Sequence, residues 1–268
     1  EVIMEHIGNL ERQSMDLPED VAKIKERYKD VGYVKNRLIV SLINAEKNAD
    51  FLEDKPHRML EDLAIVYKVL INKNENGRGT ITVTNDHMKY WGVTEEQLYE
   101  TAIRNSNAFE PPFIDDMDRV AAEMLKERGM AEEDIEELQA GEHPKMYIIS
   151  NNSKVNGASV IVYSDALQQV AEMMGSDLYI LPSSIHEVLA VSAEDRDLED
   201  LEEMVRSVNQ TDVSPEEVLS DNVYKYDAES RTLSLASANT ERIHDAAVCE
   251  PSEYTGNVSE VVRPRHHR

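Results

Sequence analysis

Apolar residues in this chain recur with two different periods, and the places where the period changes mark its elements. Between Lys145 and Ser192 the changes follow one another with almost no slack. MYIISNN and ASVIVY are apolar runs of strand length, separated by a polar turn that ends in Asn156-Gly157. SDALQQVAEMMG then sets Leu167, Val170, Ala171 and Met174 on one helical stripe, with Ser164 placed to cap it and Gly175 to stop it. DLYILPSSIHEVLAVS supplies two more strands. A strand, a helix of about three turns and a strand is the spacing of a right-handed crossover between parallel strands. The outer strands pair antiparallel through their turns. The expectation is a mixed β-sheet around a hairpin–helix–hairpin core over 145–192, with 158–163 and 177–182 as its parallel pair.

Elsewhere the helical period dominates. Residues 1–13 and 18–30 carry it, with Pro18 suited to a first helical turn. Arg37–Ile43 is a short branched run that favours a buried strand over a helix. A short helix over AEKNADFLED ends at Pro56. Leu63–Ile71 and TITVT flank the loop NKNENGRG and read as a β-hairpin. Asn85 is placed to cap DHMKYWG, and Thr94 to Gln97 is a capping box. After Pro111-Pro112, Ile114, Met117, Val120, Ala121, Met124 and Leu125 trace one helical face. AEEDIEELQAGE is an acidic, solvated helix or loop, and Leu198, Leu201, Met204, Val205 and Val208 define another amphipathic helix. Ser214 to Glu217 has the signals of a helix start, and VYKYDAESRTLSL those of a closing hairpin. Past Ala236 no apolar period survives. The chain thus divides into an N-terminal helical segment (1–30), an α+β globular domain with a mixed sheet flanked by amphipathic helices (31–236) and a disordered tail (237–268).

Charge narrows the function classes. The 268 residues hold 28 Lys and Arg against 53 Asp and Glu, a net charge of −25. Such a surface repels phosphate backbones and anionic membranes, so direct nucleic-acid or membrane binding is not expected. The charge either serves solubility alone or concentrates on one face that imitates nucleic acid or docks on a basic partner. Asp115, Asp116 and Asp118, the 132–137 run and the 194–203 run are the candidates for that face. The lone Cys249 excludes an internal disulfide framework and fits a reducing cytoplasm. No apolar run approaches the roughly 20 residues that span a bilayer. The helical pattern is already under way at Glu1, which suggests a natural protein that begins earlier.

No cluster declares a reaction. Pro182-Ser183-Ser184-Ile185-His186-Glu187 sets two serines beside a histidine, but on an extended strand neighbours point to opposite faces, and the Gly-x-Ser-x-Gly elbow is missing. The bland reading gives this turn a structural role, with His186 satisfying a buried backbone group; the sharp one makes it a functional surface. His186-Glu187 lacks the second histidine of a zincin, and the other histidines are scattered, so no metal or cofactor is assigned. Gly77-Arg78-Gly79 lacks the lysine and helix of a phosphate loop. Tyr90 and Trp91 read as an apolar anchor or as a stacking platform. The candidate surface is therefore Ser183, Ser184, His186, Glu187, Asn85 and Trp91, with no catalytic residue named.

Several segments, in order, carry a resemblance: VKNRLIVSLINAEKNADFLEDKPHRML, TITVTNDHMKYWGVTEEQLYETAIRNS, LYILPSSIHEVLAV and VNQTDVSPEEVLSDNVYKYD. Over roughly residues 30–235 the chain resembles an uncharacterised family found mostly in gut bacteria and catalogued only as a domain of unknown function. The resemblance implies a cytoplasmic bacterial protein, often carried with mobile or accessory genes, and a longer N-terminus. It brings no activity, cofactor or catalytic residue. The leading expectation is a non-enzymatic interaction or regulatory protein whose partner is another protein, a basic one if the charge is functional. The alternatives are a small-molecule sensor or enzyme with a cleft near Trp91 and the 183–187 turn, and an acidic nucleic-acid mimic. The sequence does not indicate an oligomeric state.

Overall fold

Branched residues build the first sheet. Strands β1 (Leu38–Asn44), β2 (His57–Leu60), β3 (Leu63–Asn74) and β4 (Gly77–Thr82) assemble around β3, which pairs with the other three. Along β3 the two-residue alternation sorts the side chains. Ile65, Tyr67 and Val69 enter the main core, while Ala64 and Val66 pack on the opposite face against Leu52 of the short helix α3 (Ala49–Leu52). In this computed structural model the described residues are 18–74, 77–140, 145–182, 184–194 and 196–236. The helical reading of 1–13, the tail from 237 and Cys249 lie outside them.

Helices α1 (Pro18–Lys29) and α2 (Val31–Lys35) precede β1. After β4 come α4 (Asn85–Trp91), α5 (Glu95–Phe109), β5 (Pro112–Asp116), α6 (Met117–Glu127), α7 (Glu132–Gln139) and β6 (Met146–Asn151). The chain continues through a 3₁₀ turn (Gly157–Ser159), α8 (Val160–Tyr163), α9 (Ala166–Met174), β7 (Leu178–Leu181), β8 (Val188–Ser192) and α10 (Leu198–Thr211). It closes with β9 (Tyr224–Asp227) and β10 (Thr232–Leu235). The second sheet has six strands in the order β10-β9-β7-β8-β6-β5. Both sheets feed one apolar cluster, joined by Leu98 and Ala102 of α5 and by Leu167, Val170 and Ala171 of α9. On the other face of the second sheet, Leu201 and Val205 of α10 cover Leu181, Val191 and Val223.

The α+β class, the β3–β4, β7–β8 and β9–β10 hairpins, the Thr94 capping box and the Gly175 helix stop are as expected. The mixed sheet is corrected: every strand pairing among the described residues is antiparallel. Segment 158–163 is no strand but the 3₁₀ turn and α8. Both edges of β6 are occupied, by β5 and β8, so no ladder was open to it. Burial decides the outcome over the β propensity of Val160, Ile161 and Val162: Ala158 and Val160 are fully buried, and the Tyr163 hydroxyl donates to the Glu110 carbonyl at 2.8 Å.

Three smaller expectations also change. Ile114 belongs to β5, not to the helix that follows it. Ser214 to Glu217 closes a single turn, with both Glu217 N–H and Val218 N–H donating to the Ser214 carbonyl, and no helix grows from it. The cap of α4 is Thr84 rather than Asn85. Its hydroxyl accepts from His87 N–H at 3.2 Å, and its own N–H donates to His87 Nδ1 at 3.1 Å, so a histidine fills the usual Glu or Gln place of the capping box.

Candidate functional site

The 184–187 turn is held from three sides. Ser184 is buried and bridges to Val218, and its hydroxyl accepts from the His186 N–H at 3.0 Å. The Asn156 N–H donates to His186 Nδ1 at 3.3 Å, which leaves Nε2 to carry the ring proton toward Glu217 Oε1, also at 3.3 Å. Both ring nitrogens are thus engaged, and neither contacts Ser184 Oγ. A base aimed at a serine nucleophile needs that contact. Glu187 is half-buried beside the turn, and Ser183 lies outside the described residues. Gly157 sits beneath this junction, where the Ser150 hydroxyl donates to the His186 carbonyl at 2.8 Å.

Trp91 and Asn85 lie in another neighbourhood. The indole N–H of Trp91 donates to the Tyr28 carbonyl at 3.0 Å, and the ring stacks on His87 and meets Tyr28 edge-on. The buried indole anchors α1 against α4 with its polar end satisfied. The Asn85 N–H donates to the Asp54 carbonyl. Among the described residues, the hydrogen bonds and ring contacts of Trp91 and Asn85 go to Tyr28, His87 and Asp54, not to the 184–187 turn. Two shallow cavities, about 520 Å³ around Gly175, Asp177 and Lys225 and about 360 Å³ around Asn107, Tyr163 and Gln169, are lined by neither group. At the rim of the first, the Ala228 N–H and then Lys225 hold the Asp177 carboxyl below its ordinary range.

A polar constellation without a signature in the sequence ties β2 to the start of α5. Arg58 donates two hydrogen bonds to Glu95 and another to Glu96, and its guanidinium lies 3.9 Å from the centre of the Tyr99 ring. The hydroxyl of Tyr67 donates to the same Glu95. Burial alone would raise the Glu95 carboxyl, but the bonds from Arg58 and Tyr67 and the Arg58 charge outweigh it and hold it below the usual glutamate range. A carboxyl lowered in the folded state adds stability above its unfolded value and loses it as pH falls through the folded one. Tyr67→Phe is expected to cost about 1 kcal/mol at neutral pH. The deficit should narrow as urea titrations move below about pH 4. A deficit that stays constant across that range would count against the assignment.

The α6–α7 hairpin packs on β5 and β6 and still leaves apolar side chains exposed. The α6 helix is amphipathic, yet none of its residues is buried, and α7 buries only Ile135 among its described side chains. Met124 is 56% exposed, Leu138 55% and Met130 37%. Residues 115–137 carry ten acidic side chains against three basic ones, so these exposed apolar side chains sit in a strongly acidic stretch of chain. The first acids are consumed locally: Asp115 is buried against Arg119, and Asp116 caps α6 through the Asp118 N–H. In α7 only Glu132 has a cation among the described residues, Lys126 at 3.1 Å; Glu133, Asp134, Glu136 and Glu137 have none. The sequence named the 132–137 run but not Met130 or Leu138. The signal was there in an apolar stripe set between two acidic runs.

Among the described residues no three His, Cys, Asp or Glu side chains are grouped to hold a metal ion, and no helix is long and apolar enough to cross a membrane. No curated protein matches the chain, and no solved structure matches it. Residues 1–228 match the model of a family of unknown function, DUF5688, a stretch that begins earlier than the expected residue 30; with most of its length matched, the chain belongs to that family.

Proposed function

We propose that this chain is a non-enzymatic interaction or regulatory protein, working in the cytoplasm, that docks another protein on its α6–α7 hairpin. The observation that carries this reading is α6 itself, an amphipathic helix with no buried residue. Helices of this kind ordinarily gain their stability by burying the apolar stripe. Here Met117, Val120 and Leu125 are only half-buried and Ala121 and Met124 stay exposed, as do Met130 and Leu138, and exposed apolar patches rimmed by polar groups mark interaction sites. The engagement of both His186 nitrogens by Asn156 and Glu217 supports the same reading against a hydrolase at the 184–187 turn.

The test is a photoreactive amino acid placed at Ala121, on the exposed side of α6, in cells that naturally produce the chain. A discrete protein adduct is expected from position 121, lost when Met124→Ser and Met130→Ser are added. Those two changes should alter folding stability by no more than about 0.5 kcal/mol, because both side chains are exposed. No adduct, or one that survives the two changes, would sink the proposal.

A further inference from the structure

Resting on that docking role, we infer that the segment bound by α6–α7 is a basic amphipathic helix of another protein. Ala121 and Met124 lie three residues apart on the exposed side of α6, the spacing of one helix face, and Met130 and Leu138 are exposed apolar side chains of the same hairpin. A second helix laid along it meets an apolar ridge at matching intervals, as in helix-in-groove recognition. Methionines dominate the patch, and their unbranched, polarizable side chains repack against varied apolar surfaces.

Charge selects the flank of the partner. The four α7 carboxylates without a cation, Glu133, Asp134, Glu136 and Glu137, stand within one and a half turns beside the patch. They complement lysine and arginine on the polar side of an incoming helix and repel an acidic one. The same sign excludes nucleic acid and anionic membrane as occupants, and it places like against like in a pairing of two copies of this chain. An added β-strand fits less well than a helix, because the neighbouring edge strand β5 begins at Pro112, which has no N–H to donate.

Fluorescence anisotropy with the full chain tests this. The probe is a labelled amphipathic peptide of about 18 residues, leucine on one helical face and lysine on the other. The comparators are a scrambled peptide of the same composition and a leucine–glutamate version. Binding of the leucine–lysine peptide is expected to weaken at least about tenfold with Met124→Ser and Met130→Ser, and about tenfold with Glu133→Lys and Glu136→Lys. It should also fall steeply between about 0.05 and 0.5 M salt. Scrambled peptide bound as tightly, or serine variants without effect, would overturn the inference. Capture of the glutamate peptide would overturn it too, as would a Met124-dependent dimer in sedimentation, which would make a second copy the occupant. A surviving adduct-forming contact at position 121 alongside any of these results leaves the docking role standing and removes only the partner chemistry; loss of both removes both.

Discussion

Replacing Gly157 by alanine is expected to destabilise the fold by about 3 kcal/mol, near the upper end for overpacking. A Cβ on this residue would lie 2.8 Å from the Asn151 nitrogen and closer still to the Ser150 hydroxyl and the His186 carbonyl oxygen. Two of these three are backbone atoms. One belongs to β6 and the other to the 184–187 turn, which is itself tied to the segment at Glu217. Neither backbone atom can swing aside as a flexible side chain would. Removing the third obstacle with Ser150→Ala should recover only part of the loss, about 1 kcal/mol, because the backbone contacts remain. Urea denaturation of the single and double variants measures both. A Gly157→Ala protein within about 0.5 kcal/mol of the parent would show that the junction is looser than its geometry.

Asp62→Ala is expected to cost a similar amount, about 3 kcal/mol, for a different reason. The Asp62 carboxylate accepts from the Ser220 hydroxyl at 2.6 Å, from Asn222 Nδ2 at 3.0 Å and from the Tyr224 hydroxyl. Tyr224 and Ser220 are buried, so alanine at 62 strands two donors away from water. Burial, followed by the Asp62 charge and hydrogen bond, already pushes the Tyr224 hydroxyl upward, and it stays a donor. Tyr224→Phe removes one bond without orphaning the aspartate and should cost about 1 kcal/mol. Denaturation of both variants should therefore rank aspartate above tyrosine; equal losses, or a silent Asp62→Ala, would mean that water replaces the carboxylate at no cost.

How far the sequence could be read follows from the range of the forces involved. Period and caps are local, so β1, the β3–β4 hairpin, the Thr94 box and the Gly175 stop were legible in runs of a few residues. Segment 158–163 was not, because its own propensity favours a strand and only the occupied edges of β6 forbid one. His186 was legible as a group satisfying a backbone amide, but its donor, Asn156, and its second partner, Glu217, come from 30 and 31 residues away. The Arg58, Tyr67 and Glu95 constellation had no signature at all, since three ordinary residues meet only through tertiary pairing. The docking surface was half legible. Acidic runs show in a sequence, but whether an amphipathic stripe is covered depends on what the rest of the fold brings to it.

The Asp62 clamp also sets an order of events during synthesis. Its three donors lie 158, 160 and 162 residues further along the chain. A ribosome that has released the whole four-stranded sheet has therefore made the acceptor but not one of its partners. Pairings of such separation are slow to find, because a long loop must close before they contribute. The β2–β3 turn waits as an open socket, and the passage of residues 220–224 shuts it in the same step that seats β9 against β7. The sheet made first is thus locked by a stretch of chain made almost last.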